Sequence, residues 1–208
     1  MRSIEFFAGS SVLSSQLEQH EFSSYTLDFV QVKNTRKVDF LMDFMDFDYS
    51  LFSPGHFDVL YFGQPCTCFS KASGGLHFDK NWQPLTPAAH NAILQLSKTF
   101  EIIKYFCNAV WYIENPAGRL FSFPPMQEFL KSQNSHVYRI DLGAFGFITK
   151  KQTDIFTNSK VILLSNPMHR VNGKHQAYKF DNLSKVNRQK YPEHFCKWIA
   201  ENAKRNFL

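Results

Sequence analysis

Cys66 and Glu114 are the residues of this chain best placed by their surroundings to do chemistry. Cys66 stands in Gly63-Gln64-Pro65-Cys66-Thr67-Cys68-Phe69-Ser70, directly after the apolar run Phe57-Asp58-Val59-Leu60-Tyr61-Phe62. That run reads as a buried strand, and a cysteine just past a strand end lies where open α/β sheets bind ligands. Glu114 opens Glu114-Asn115-Pro116, straight after a second apolar run, Val110-Trp111-Tyr112-Ile113. A thiol and a carboxylate at two neighbouring strand ends can serve as nucleophile and acid facing one pocket.

Each residue has other readings. Cys66 can be an apolar core residue, a metal ligand or a nucleophile. Cys66-Thr67-Cys68 is a C-x-C, no second close pair completes a zinc site, and His77 and His90 lack ligand spacing. Two cysteines among Pro, Thr and Ser make a poor core element, whereas a thiol near helix N-termini can be activated as thiolate. Glu114 is costly to bury unless paired or protonated. Protonated, it can donate to a ring nitrogen; the alternative is a helix cap.

Three further residues address a cofactor. Gly9 follows a first strand and precedes a helix, where a backbone passes close to a ligand. The three glycines of a dinucleotide fingerprint are missing, so phosphate binding has little support. Asp28 ends a second strand, where an acid accepts hydrogen bonds from ribose hydroxyls, and Asp43 ends a third, where it can meet an adenine amino group. Acids there without a phosphate loop suit S-adenosylmethionine, which has adenosine and no phosphates. The alternative is that both acids cap neighbouring helices.

The elements that must position these residues alternate. Strands are expected at Ser3–Phe7, Ser23–Phe29, Asp39–Asp43, Phe57–Phe62 and Val110–Ile113, then at Val137–Leu142 and Asp154–Asn158. Helical spacing covers Val12–Glu21. A long helix over Pro87–Cys107 has Thr86 as its cap and Pro87 in its first turn. Shorter helices are expected at Pro125–Gln133 and at Glu193–Lys204, after Pro192. This order implies an α/β fold, a mostly parallel, doubly wound sheet with helices on both faces. The stretches Ser70–Pro84 and Asn166–Lys190 are expected to be flexible.

Length and charge set bounds. The chain has 208 residues, enough for one α/β domain with a sizeable core. Its 23 phenylalanines are mostly expected in that core. No apolar run approaches bilayer length. The start, Met1-Arg2-Ser3-Ile4-Glu5, is acidic where a signal peptide is apolar. The four scattered cysteines point to a reducing, cytoplasmic setting. Residues 1–149 carry 11 Lys/Arg against 14 Asp/Glu, and residues 150–208 carry 12 against 4. A basic C-terminal part suggests a polyanionic partner, with a solvated basic surface as the alternative.

In these motifs the chain resembles the DNA cytosine-5 methyltransferases, especially the short forms of phages and prophages. The family's Phe-x-Gly cofactor motif stands as Phe7-Ala8-Gly9, its strand-two acid and apolar residue as Asp28-Phe29, and its strand-three pair as Asp43-Phe44. Its Pro-Cys-Gln-x-Phe-Ser matches Pro65-Cys66-Thr67-Cys68-Phe69-Ser70, with Thr for Gln, and its Glu-Asn-Val matches Glu114-Asn115-Pro116. All fall in family order within residues 1–158.

The resemblance implies a Rossmann-like, S-adenosylmethionine-dependent fold and double-stranded DNA as partner. It implies that Cys66 attacks C6 of a flipped-out cytosine while Glu114 holds and protonates N3, after which C5 takes the methyl group. Cys66 takes this role over Cys68 because it directly follows Pro65. Phe7, Ala8, Gly9, Asp28, Phe29, Asp43, Phe44 and Pro65 become cofactor contacts, and Ser70 and Asn115 substrate contacts. The chain also departs from the family. The second motif glycine is Ser11, and Gln-x-Arg-x-Arg has become Gln152-Thr153-Asp154-Ile155-Phe156, so Lys150 or Lys151 is expected to replace the lost arginines. No segment matches the C-terminal Asn-Ser motif. Only about 30 to 40 residues stand where a target-recognition domain would be, too few for an ordinary domain.

The expected organisation is therefore a catalytic domain over 1–158, a basic element over 159–191 and a C-terminal helix over 192–208. Arg170 and Lys174 in the basic element are expected on phosphates rather than bases. Two other functions fit the same residues: an RNA cytosine-5 methyltransferase, and a degenerate binding module that keeps fold and basic surface.

Overall fold

The computed structural model describes residues 1–73, 75–147, 150–160 and 190–208. Seven strands form one sheet in the order β3-β2-β1-β4-β5-β7-β6. They are β1 (Arg2–Phe6), β2 (Ser23–Asp28), β3 (Phe40–Leu41), β4 (Val59–Gly63), β5 (Val110–Pro116), β6 (His136–Asp141) and β7 (Gln152–Thr157). Neighbours from β3 to β5 pair in parallel, while β7 runs antiparallel to both β5 and β6.

The strand sequences explain the layers. Side chains alternate across a strand, so a sheet buried on both faces needs residues that suit each face. In β1, Ile4 and Phe6 enter a core with Leu60, Phe62, Trp111 and Ile113. That face is covered by α2 (Pro87–Tyr105) and α3 (Pro124–Ser132), through residues such as Leu96, Ile103, Met126 and Phe129. On the other face Val59, Tyr61, Tyr112 and Ile155 meet Leu13 and Leu17 of α1 (Val12–Gln19) and Phe195 and Ile199 of α4 (Glu193–Arg205). Thr86 caps α2 by accepting from the Ala89 N–H at 3.2 Å, and Pro87 sits in the first turn.

Three expectations need correction. β5 does not stop at Ile113: antiparallel pairing with β7 continues from Tyr112 to Pro116 and holds Glu114 and Asn115 inside the strand. The third strand shrinks to Phe40–Leu41, because an edge strand has a neighbour on one side alone and pairs only with Leu27 and Asp28. The stretch Ser70–Pro84, expected to be flexible, is anchored at two aromatic residues while its polar residues stay at the surface. Phe78 is buried and stacks on Phe69 at 5.2 Å, and Trp82 packs on Phe123 at 5.5 Å. Aromatic anchors of this size outweigh the polar residues around them. Asn166 to Gln189, within the other such stretch, lie outside the described residues. Among the described residues no helix is long and apolar enough to cross a membrane.

Candidate active site

The parallel pairing brings the chemical residues to one edge. Gly63 at the end of β4 lies opposite Glu114 in β5. The chain leaves β4 through Gln64 and Pro65 and turns sharply at Cys66, whose carbonyl accepts from the Phe69 and Ser70 N–H groups at 3.1 and 2.9 Å. Cys66 is half-buried and Pro65 exposed, while Cys68 is 4 % exposed and packs in the core. Burial pushes the Cys68 thiol above its usual range, with Cys66 adding to it. Of the two, Cys66 is the more accessible.

The end of β5 and the loop after it brace this turn. Asn115 is fully buried and its Nδ2 reaches the Gln64 carbonyl at 3.5 Å. The Arg119 N–H donates to the Phe69 carbonyl at 2.7 Å. Gly118 packs so close to the backbone of Phe69 and Ser70 that a Cβ there would collide with it. Ser70 is half-buried, with a weak contact from its hydroxyl to the Thr67 carbonyl at 3.5 Å.

Glu114 is 3 % exposed. Burial pushes its carboxyl above the usual range, against the opposing pull of Lys151 and of hydroxyls from Tyr191 and Thr153. Tyr191 donates to Oε2 at 2.7 Å. Among the described residues neither Oε1 nor the nearby Thr153 hydroxyl on β7 has a partner at full hydrogen-bond geometry, although Thr153 lies close enough to pull on the carboxylate. Lys151 is thus a cation that bears on Glu114, and its ammonium also lies 5.4 Å from the Phe147 ring. Lys150 is exposed. Asp154, at a lost arginine position, is 1 % exposed and takes a two-point ion pair from Arg139 of β6, at 2.7 and 2.9 Å. Arg170 and Lys174 lie outside the described residues.

The cofactor candidates gather at the ends of β1, β2 and β3. Phe7, Gly9 and Ser11 all have positive φ, at 59°, 53° and 54°, so the chain winds tightly between β1 and α1. A Cβ on Gly9 would meet nothing within 4 Å, so open space adjoins this backbone. Ala8 is buried and its N–H donates to the Leu27 carbonyl. Asp28 is 8 % exposed, with Oδ2 accepting from the Gly9 N–H at 2.8 Å and Oδ1 from the Val30 N–H at 3.0 Å. A carboxylate has about four acceptor positions, so two remain for a ligand. Phe29 is 71 % exposed beside Val30, Leu41 and Met42, an apolar surface able to take a flat ring. Asp43 is exposed and accepts from the Met45 N–H at 2.8 Å, so it caps a short turn. Phe44 is 3 % exposed and packs against Phe6 and Phe7 as part of the core. These residues fit an adenosine-containing cofactor without a phosphate cradle.

Sequence reading missed Tyr191 and Thr153. Tyr191 lies 77 residues beyond Glu114. Its only local sign is its place before the proline that opens α4.

The strand order, with β7 inserted antiparallel, is the Rossmann-like fold of S-adenosylmethionine-dependent methyltransferases. Two methyltransferases are among the solved structures that share it. One is a methyltransferase of Entamoeba histolytica, EhMeth, with a TM-score of 0.53 and 17 % identity over 78 % of this chain and 54 % of its own. The other is a protein named as a DNA modification methyltransferase encoded within a prophage of E. coli, with a TM-score of 0.51 and 12 % identity over 76 % of this chain and 46 % of its own. This chain spans about half the length of each. Its sequence matches no protein-family profile and no curated protein.

Proposed function

We propose that the chain is a DNA cytosine-5 methyltransferase with a reduced recognition element. The observation that carries this is the pairing of Gly63 with Glu114, which sets the Cys66 turn at the end of β4 beside a buried carboxyl in β5 whose pKa burial raises. In this reading Cys66 attacks C6 of a cytosine held outside the stack, because neither C6 nor N3 is reachable in a duplex. Glu114 gives its proton to N3 and so offsets the negative charge that attack develops in the ring. Bound S-adenosylmethionine supplies the electrophilic methyl group for C5. Its adenosine is held by Asp28, Phe29 and the backbone at Phe7-Ala8-Gly9. Loss of the C5 proton to water then expels the Cys66 thiolate, and the N3 proton returns to Glu114.

Residues 159–191, with Arg170, Lys174 and Lys179, serve as the phosphate-binding element in this reading. Replacing those three together is expected to weaken DNA binding and flatten its salt dependence, since each neutralised phosphate releases counterions. The deciding experiment is incubation with labelled S-adenosylmethionine and separate DNA and RNA pools, followed by nucleoside analysis. The expected result is 5-methylcytosine in DNA. Label in RNA alone makes the chain an RNA methyltransferase, and label in neither leaves a non-catalytic binding module.

A further inference from the structure

Glu114 is tied down on one oxygen and left open on the other. Tyr191, just before α4, donates its hydroxyl to Oε2 at 2.7 Å. Its ring is fixed independently, edge-on to Tyr61 with centroids 6.0 Å apart and 5.5 Å from Phe195. Room for the hydroxyl exists because β4 ends in glycine: a Cβ on Gly63 would lie 2.8 Å from it. Oε1, by contrast, is buried and among the described residues has no partner at full hydrogen-bond geometry, the Thr153 hydroxyl being the nearby group that acts on this carboxylate. A buried acceptor left so is costly unless a proton or ligand satisfies it.

The direction of the Tyr191 bond follows from chemistry. Burial and the neighbouring Glu114 push the phenol well above its usual range, so its proton stays on the phenol oxygen. Oε2 is then the acceptor, and a proton on the carboxyl group belongs on Oε1. We propose that Tyr191 is the positioning residue of Glu114, holding Oε2 so that Oε1 is the oxygen that delivers a proton to the substrate ring. This rests on the reading of Glu114 as the acid. In the transfer the Oε1–H bond breaks and an N–H bond forms on the ring. The carboxylate left behind keeps the Tyr191 hydrogen bond, which stabilises its charge.

The groups around Glu114 come from several elements. Tyr61 faces it from β4, Thr153 and Asp154 from β7, and Lys151 from just before β7. Tyr191 enters from the α4 side, and Cys196 and Glu5 act through Tyr61. Tyr191→Phe removes one O–H from this set and keeps the ring that packs on Tyr61 and Phe195.

The test is a carbon-13 titration of glutamate carboxyl groups in the full chain, with Glu114→Gln identifying the Glu114 signal. A donor to the carboxylate lowers its pKa, so Tyr191→Phe raises it, by about 1–2 pH units for a charged hydrogen bond. In methyl transfer the alkaline limb of the pH profile moves up with it, while kcat falls about tenfold or more at its plateau. An unchanged Glu114 titration overturns the proposal even if activity falls. If the wild-type protein methylates neither DNA nor RNA, the proposed function fails, and the titration still decides the role of Tyr191.

Discussion

The Gly9 N–H and the Asp28 carboxylate meet at 2.8 Å, joining the tight loop after β1 to the end of β2. Because Oδ1 also holds the Val30 N–H, Asp28 orders both loops before any ligand arrives. Asp28→Ala is therefore expected to cost about 1–3 kcal/mol of stability and to weaken S-adenosylmethionine binding about tenfold or more. Asp43→Ala, which removes an exposed turn cap, should cost less stability yet also weaken binding. Gly9→Val should block binding by filling the open space beside that backbone. Calorimetric titration decides the matter: unchanged affinity in both Asp variants means that these acids are caps and nothing more.

Ser11 occupies the left-handed region at φ 54°, where a side chain costs roughly 1 kcal/mol. Its hydroxyl is buried with no hydrogen-bond partner among the described residues and makes no cap bond to α1. Ser11→Gly should stabilise the protein by about 1 kcal/mol, read as a higher urea midpoint. A lower midpoint would show that the hydroxyl contributes something the geometry does not reveal.

Glu5 supplies the cap that Ser11 does not. It is 1 % exposed, and its Oε2 accepts from the Ser14 N–H at 2.9 Å and the Ser14 hydroxyl at 2.6 Å. Burial nevertheless raises its pKa to about 7. A folded value above the unfolded one means stability is full at low pH and is lost as pH rises through that window. The loss is on the order of 3 kcal/mol between about pH 4.5 and pH 8. Urea unfolding at pH 5 and pH 8 should show that Glu5→Gln loses less stability across this range than the wild type. Equal losses would mean that Glu5 is not the group responsible.

Cys66→Ser is expected to abolish methyl transfer and leave cofactor binding nearly unchanged. Cys68→Ser should keep most activity while destabilising the fold by about 1–2 kcal/mol, since it puts a hydroxyl into a core position. A covalent complex with 5-fluorocytosine DNA, digested and mapped, should carry its label on Cys66. Label on Cys68 would reverse the assignment.

Where local signals agree with the tertiary outcome, the sequence is readable. The buried runs of β4 and β5, the Thr86-Pro87 start of α2 and the Pro192 start of α4 all carry their own marks. Those runs also point to a common sheet edge for Cys66 and Glu114, and the Gly63–Glu114 register supplies it. What could not be read depends on pairing across long separations. β5 extends through Glu114 because β7 lies beside it, and no residue near Glu114 announces that neighbour. Asp154 reads only as the place of a missing motif arginine until β6 brings Arg139 to it. The stretch after Cys66 reads as a polar loop until Phe78 and Trp82 find Phe69 and Phe123.

The hydrogen bond between Tyr191 and Glu114 also has a consequence for the growing chain. A ribosome adds Tyr191 77 residues after Glu114, when β5 and the strands before it have already been made. Until then the acid has no phenol to hold it. A chain ending before residue 191 carries Cys66 and Glu114 but lacks the Tyr191 hydroxyl, and the sheet face that α4 covers is left bare. In the proposed reading, the anchoring of Glu114 therefore waits on the docking of α4.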